Sequence, residues 1–222
     1  MTIFDKLRSE TAKVSLESIS MEADVQVEEE LVFYARITDL VALRAIATKI
    51  EHQEQWEVKS PVGNGRFRIR ETLDLIEESK FHHLGPQNKP LYTLTTKLKR
   101  AEGGDVETTA DIDGDIFQSF AALCPNGMRK TRYEVPTGTP GYTWEFDVYA
   151  DTDWCKVDLE LPQPGEDRVR TSGSSWMQIL SELPFVDGVM TNSNEADKDS
   201  IWALYENYFI TKNPLAKDET SK

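Results

Sequence analysis

Residues 142–149 read Tyr142-Thr143-Trp144-Glu145-Phe146-Asp147-Val148-Tyr149. Tyr142, Trp144, Phe146 and Val148 fall on one side and Thr143, Glu145, Asp147 and Tyr149 on the other, the period-2 alternation of a half-buried β-strand. The same period runs outward in both directions. Lys156 to Leu161 sets Lys156, Asp158 and Glu160 against Val157, Leu159 and Leu161, and Met128 to Val135 puts Lys130, Arg132 and Glu134 together. Arg66, Arg68 and Arg70 alternate with Phe67 and Ile69, and Thr95, Lys97 and Lys99 share a face opposite Leu94 and Leu98 within a strand over 91–100. Asp105 to Ile112 is a further strand after the Gly103-Gly104 turn, and Val25 to Ile37 reads as one long strand. Short strands at close spacing, with few helices between them, predict an antiparallel sheet.

Helices are expected at the margins of this pattern. Thr38 and Asp39 can cap a first helix carrying Leu40, Leu43, Ala47 and Ile50 at helical spacing, because a short side-chain oxygen satisfies a free N–H of the first turn. Further helices are predicted over 113–124, 175–182 and 199–209. A single domain over residues 25–210 is expected. Residues 1–24 form an arm or helix anchored by Phe4 and Leu7, and residues 211–222 a flexible tail.

Composition narrows the function classes. With 25 basic against 39 acidic residues the net charge is -14, which argues against a broad positive surface for duplex DNA. The apolar runs are too short to cross a bilayer as helices, so no membrane partner is expected. Cys124 and Cys155 have no metal-ligand spacing and read as buried small hydrophobes in a reducing, cytoplasmic compartment. His82-His83 reads as loop rather than a metal pair, and the Gly63-Asn64-Gly65 stretch as a turn. Trp176, Trp202, Tyr205 and Tyr208 sit at helical spacing, which predicts core packing.

The charged strand faces carry the functional signal. Arg66, Arg68, Arg70, Lys97, Lys99, Lys130 and Arg132 come from neighbouring strands, whereas Glu145, Asp147, Asp158 and Glu160, with Glu28 and Glu30, come from others. A solvated sheet face explains any one strand; segregation by sign across strands points further. A sheet curled into a barrel turns these faces inward, where stacked cations require a polyanion and clustered carboxylates a cation. A triphosphate with a divalent metal meets both demands.

The order of segments resembles the CYTH superfamily, the triphosphate tunnel metalloenzymes. Tyr34-Ala35-Arg36-Ile37-Thr38-Asp39-Leu40 is similar to the family's first strand entering its first helix, and Arg66-Phe67-Arg68-Ile69-Arg70-Glu71 resembles its basic second strand. Leu94-Thr95-Thr96-Lys97 and Arg129-Lys130-Thr131-Arg132-Tyr133 resemble its "L-T-x-K" and "K-x-R" strands, and the strands at Trp144–Tyr149 and Val157–Leu161 its two acidic ones. The resemblance implies an α+β fold, an eight-stranded antiparallel β-barrel (tunnel) with helices packed outside. It implies phosphate binding by Arg36, Arg68, Arg70, Lys97, Lys99, Lys130 and Arg132. Mg2+ or Mn2+ would sit on Asp158, Glu160, Asp147, Glu145, Glu30 and Glu28, with Glu160, Asp158, Lys97 and Arg132 in catalytic positions. Where the family's first strand carries E-x-E-x-K, this chain has Glu30, Val32 and Tyr34, and the strand with Glu107, Thr109 and Asp111 lacks the family's arginine.

Two functions follow as expectations. One is a metal-dependent hydrolase of an inorganic, nucleoside or RNA 5′ triphosphate. The alternative is a non-catalytic binder of a phosphorylated ligand or RNA end, with a class IV-type adenylyl cyclase third. The chain is expected to act as a monomer or homodimer.

Overall fold

A computed structural model describes residues 24–28, 30–59, 65–75, 89–99, 105–162 and 173–212. The N-terminal arm, His82-His83, the glycine turns apart from Gly65, and the tail beyond Lys212 lie outside the described residues. The strands are β1 (Asp24–Glu28), β2 (Glu30–Ile37), β3 (Lys49–Lys59), β4 (Gly65–Asp74), β5 (Leu91–Lys99), β6 (Asp105–Asp111), β7 (Asn126–Pro136), β8 (Thr143–Tyr149), β9 (Trp154–Glu160), β10 (Val186–Thr191) and β11 (Thr211–Lys212). The helices are α1 (Leu40–Ile46), α2 (Gly114–Ala121), α3 (Gly173–Ser181) and α4 (Lys198–Leu204). All pairings are antiparallel, in the order β1-β6-β5-β4-β3-β7-β8-β9-β2-β10, with β11 added to β7.

The antiparallel α+β architecture with helices outside is the one expected, but among the described residues the sheet has 11 strands rather than eight. The hydrogen-bonded path does not close among the described residues. Covalent continuity nevertheless joins its two sides: β1 pairs with β6, and β2, beginning two residues after β1 ends, pairs with β9. The run expected as one strand over 25–37 therefore serves both sides of a curled sheet.

Paired residues of antiparallel strands share a face, so the register sorts the side chains into two surfaces. The outer surface is apolar. Phe33, Ala35, Tyr133, Val135, Trp144, Phe146, Val157 and Leu159 pack there against Leu43 of α1 and Trp176 and Leu180 of α3. Trp144 meets Trp176 edge-on at 5.7 Å, a favourable aromatic geometry. A second outer cluster sets Trp56 and Ile69 against Phe117 and Ala121 of α2. Cys124 and Cys155 are buried free thiols, as expected.

Three expectations need correction. α1 ends at Ile46, not near Ile50, and Lys49 starts β3, which the sequence pattern hides because its buried face is polar: Gln53 is 1% and Gln55 5% exposed. α1 is nonetheless capped as predicted, with Asp39 accepting from the Ala42 N–H at 2.9 Å. Trp202 and Tyr208 are exposed rather than core, at 61% and 46%. β11 extends the sheet into the segment expected as tail.

The C-terminal elements fill one end of the inner surface. The π-helical turn Tyr205–Phe209 places Phe209 on Tyr149 at 3.9 Å between ring centroids, nearly parallel, and beside Tyr34 at 6.2 Å. Ile201 and Leu204 complete that cluster. Among the described residues no helix is long and apolar enough to cross a membrane, a statement that leaves β-barrel spans untouched.

Candidate functional site

The inner surface carries charge across the whole sheet. Glu30 pairs with Glu160, Asp158 with Glu145, Asp147 with Arg132, Lys130 with Gln53, Gln55 with Arg70, Arg68 with Thr95, and Lys97 with Glu107. Strand alternation thus collects residues that lie more than a hundred positions apart. Several are deeply buried: Asp147 and Asp158 are 1% exposed and Lys130 is 5%.

Buried charges call for pairing, and most of those on this surface have it. Asp147 receives Arg132 Nε on Oδ1 at 2.7 Å and Arg132 Nη2 on Oδ2 at 2.9 Å, and Lys130 Nζ also donates to Oδ2. Arg132 Nη1 also pairs with Glu145. Lys156 donates to Asp158 Oδ2. On the other side, Glu107 takes Arg68 at 3.0 Å and Lys97 at 2.5 Å, while Lys49 bridges Glu51 and Glu134 at 2.7 and 3.0 Å.

The expected segregation by sign is therefore corrected at short range: basic β7 lies directly against acidic β8, where Arg132 faces Asp147, while Glu134 of β7 faces Glu145. At longer range the two signs still dominate opposite sides. Burial, then repulsion from Arg68 and Arg132, lowers Arg70 to about 9. Burial and Arg132 lower Lys130 to about 7. On β8 and β9 the shifts reverse. Burial and neighbouring carboxylates raise Glu145 and Asp158, and Asp158, Glu30 and Asp147 raise Lys156 against the effect of its own burial. Within the Lys156–Asp158 pair the causes differ: burial first, then Glu30 and Asp147, raises Asp158, whereas the neighbouring carboxylates alone raise Lys156. Asp147, although buried, is held well below the usual carboxylate range by Arg132 and Lys130.

A cavity of about 240 Å³ opens between β3, β4, β5, β6, β7 and β8. Arg68, Arg70, Arg132 and Lys49 line it, balanced by Glu51, Glu107, Glu134 and Glu145, with Gln53, Thr93, Thr95 and Thr109 supplying neutral hydrogen-bonding groups. Arg70 differs from the other cations. Its one hydrogen bond among the described residues is a long one, Nη2 to Gln55 Oε1 at 3.5 Å, and its Nε is shut off from solvent without a partner. Arg68 Nε is likewise shut off, although that guanidinium pairs with Glu107.

The sequence-predicted residues separate accordingly. Arg68, Arg70, Arg132 and Glu145 line the cavity. Lys97, Lys130, Asp147 and Asp158 stand on the same inner surface within ion pairs, and Glu30 and Glu160 face each other across β2 and β9. For Glu28 and Lys99 only backbone register is described, both opposite Asp105. Arg36 is drawn away: it pairs with Asp187, and with Asp153 at 3.8 Å, at a half-exposed position beside β10.

Sequence reasoning missed Lys49, Glu51, Gln53 and Gln55, all from β3, and did not assign Lys156. The register that places Lys156 between Asp147 and Tyr34 comes only with the fold.

Mg2+ and Mn2+ favour carboxylate oxygens left open to the ion. Here Asp147 has both oxygens engaged by cations, Glu145 is tied to Arg132, and Asp158 keeps only Oδ1, buried and without a hydrogen-bond partner. Among the described residues, no group of three or more His, Cys, Asp or Glu side chains stands so as to hold a metal ion. The carboxylates as arranged do not fit a resident divalent ion.

No family model matches this chain and no curated protein matches it. Among solved structures, a conserved hypothetical protein from Pyrococcus furiosus is 18% identical, with a TM-score of 0.38 over 80% of this chain and 89% of its own. A candidate adenylate cyclase from Vibrio parahaemolyticus is 15% identical, with a TM-score of 0.41 over 70% of this chain and 98% of its own. A protein from Pyrococcus horikoshii is 14% identical, at 0.39 over 72% and 94%. Likenesses of this degree carry no argument about what this chain does.

Proposed function

We propose that the inner cavity binds a compact phosphorylated ligand, with Arg70 as the anchor for one phosphoryl group and no hydrolysis. The observation that carries this reading is Arg70 itself, a cation in the cavity wall with a solvent-excluded Nε and no carboxylate partner among the described residues. A guanidinium fork matches phosphate oxygens in geometry and charge. A phosphate there would relieve the repulsion from Arg68 and Arg132 that Arg70 now bears. Gln53, Thr93 and Thr95 offer hydrogen bonds to further oxygens of the ligand.

The other cations of the wall are already paired, so each additional phosphoryl group must displace a carboxylate. Affinity should therefore rise only weakly with phosphate number. Calorimetric titration with phosphate, pyrophosphate, tripolyphosphate, ATP and 5′-triphosphorylated RNA tests this. Pyrophosphate and tripolyphosphate are expected to bind within about tenfold of each other, without phosphate release. Absence of binding by every member of the panel refutes the reading.

A second reading, the metal-dependent triphosphate hydrolase, is favoured by the open Oδ1 of Asp158 on the negative side of the same inner surface. Phosphate release from tripolyphosphate with Mg2+ or Mn2+, abolished in Glu160→Gln, would establish it in place of the first.

A further inference from the structure

The carboxylate-rich side of the inner surface calls for a cation, and the chain supplies one. Glu30, Asp158 and Glu160 are brought together by the β2–β9 register, with Glu145 and Asp147 on the adjoining strand. Arg132 and Lys130 serve Asp147 and Glu145. Arg132 reaches Asp158 Oδ2 only at 4.0 Å, and at that end Lys156 enters from β9, cross-strand from Asp147 on one side and from Tyr34 on the other. Its ammonium donates to Asp158 Oδ2, with the side chain 27% exposed and that of Asp158 2% exposed. A lysine ammonium is a compact point charge with three donors, so it can neutralise a carboxylate cluster much as a hard metal ion does. Unlike a metal ion, it cannot be removed by a chelator.

We infer that Lys156 is a tethered substitute for a divalent cation at Asp158, so that the inner surface works without bound metal. This rests on the reading of the cavity as a binding site and specifies its ionic requirement. Because Lys156 holds Asp158 Oδ2 while Oδ1 has no hydrogen-bond partner, removing the ammonium leaves this buried carboxylate with only a distant cation, Arg132 Nη2 at 4.0 Å from Oδ2. Oxygens of this kind are the ligands that Mg2+ and Mn2+ take. Asp158 would become available to a metal ion only when the lysine is lost.

The test is Mn2+ titration of the full chain, followed by calorimetry and by the loss of the free-ion electron paramagnetic resonance signal. Wild-type protein is expected to show no saturable Mn2+ binding. Lys156→Met should gain a saturable site at least about tenfold tighter, as expected when an oxygen set is released to a hard cation. Adding Asp158→Asn to it should abolish that site. Should Lys156→Met fail to fold by circular dichroism, Lys156→Gln, which keeps a hydrogen-bond donor without the charge, takes its place. Saturable binding by wild-type protein that Asp158→Asn removes overturns the inference, as does a folded Lys156 variant that gains none. Pyrophosphate titration in EDTA runs in parallel. Failure of wild-type protein to bind pyrophosphate refutes the binding function, whereas the Mn2+ titrations judge Lys156 independently.

Discussion

Replacing Asp147 by Asn should be among the most damaging single changes available to this chain. The carboxylate is 1% exposed and is held by Lys130 and by two nitrogens of Arg132, at 2.7 and 2.9 Å. An amide of the same shape presents one oxygen and one N–H2 group, so it loses the charge and turns a donor toward donors. Breaking a buried ion pair from one side costs about 3–5 kcal/mol, because the remaining charge stays buried. For a chain of this size that corresponds to a melting temperature lower by about 6–20 °C. A pH signature accompanies it. The folded-state pKa of Asp147 is depressed, so its contribution is fully present above the unfolded carboxylate value near ~3.9 and is lost as pH falls toward the folded value. Wild-type stability should therefore drop on acidification below about pH 4 more steeply than that of the variant. Urea unfolding across this range measures both effects. A loss under about 1 kcal/mol at neutral pH, or equal acid slopes, would refute the claim that this network is a paired, charge-dependent core.

Two other outcomes follow from the packing. Phe209→Ala should cost about 3–5 kcal/mol by chemical denaturation, since it empties the space stacked between Tyr149 and Tyr34. Cys124 and Cys155 should resist a thiol reagent in the native protein and react on unfolding. Both are buried, and burial pushes Cys124 up to about 11 and Cys155 higher still, which suppresses the reactive thiolate. Rapid native labelling at Cys155 would contradict its place in the outer core.

The outer half of the fold was legible because apolar alternation survives in β7, β8 and β9, where Trp144, Phe146, Val157 and Leu159 mark the core face. β3 was not, since its inward face carries Gln53 and Gln55, and on its outward face His52 and Glu54 interrupt the apolar period between Ile50 and Trp56. The candidate site was half visible for a related reason. Individual strands announce which side chains share a face, so Arg68, Arg70 and Arg132 could be grouped in advance as phosphate ligands, while Glu145 was expected among the metal ligands instead. Which strands adjoin is a property of the register, and that register decides the chemistry. It sets Asp147 against Arg132, leaves Arg70 without a carboxylate among the described residues, and brings Lys156 opposite Tyr34.

The central claim is that Arg70 is kept charged and unpaired for a ligand. Thermal melting of wild-type protein and Arg70→Met, each with and without pyrophosphate, tests it most directly. Hydrophobic replacement of a buried charge is often neutral or stabilising by about 1–4 kcal/mol, so the variant alone should melt no lower than wild type. Pyrophosphate should raise the wild-type midpoint and leave the variant's unmoved, reflecting a loss of affinity of about 30-fold or more from one charge-assisted phosphate contact. A variant that melts lower yet retains the ligand-induced rise would contradict the account, because Arg70 would then be part of the framework and the phosphate would be held elsewhere.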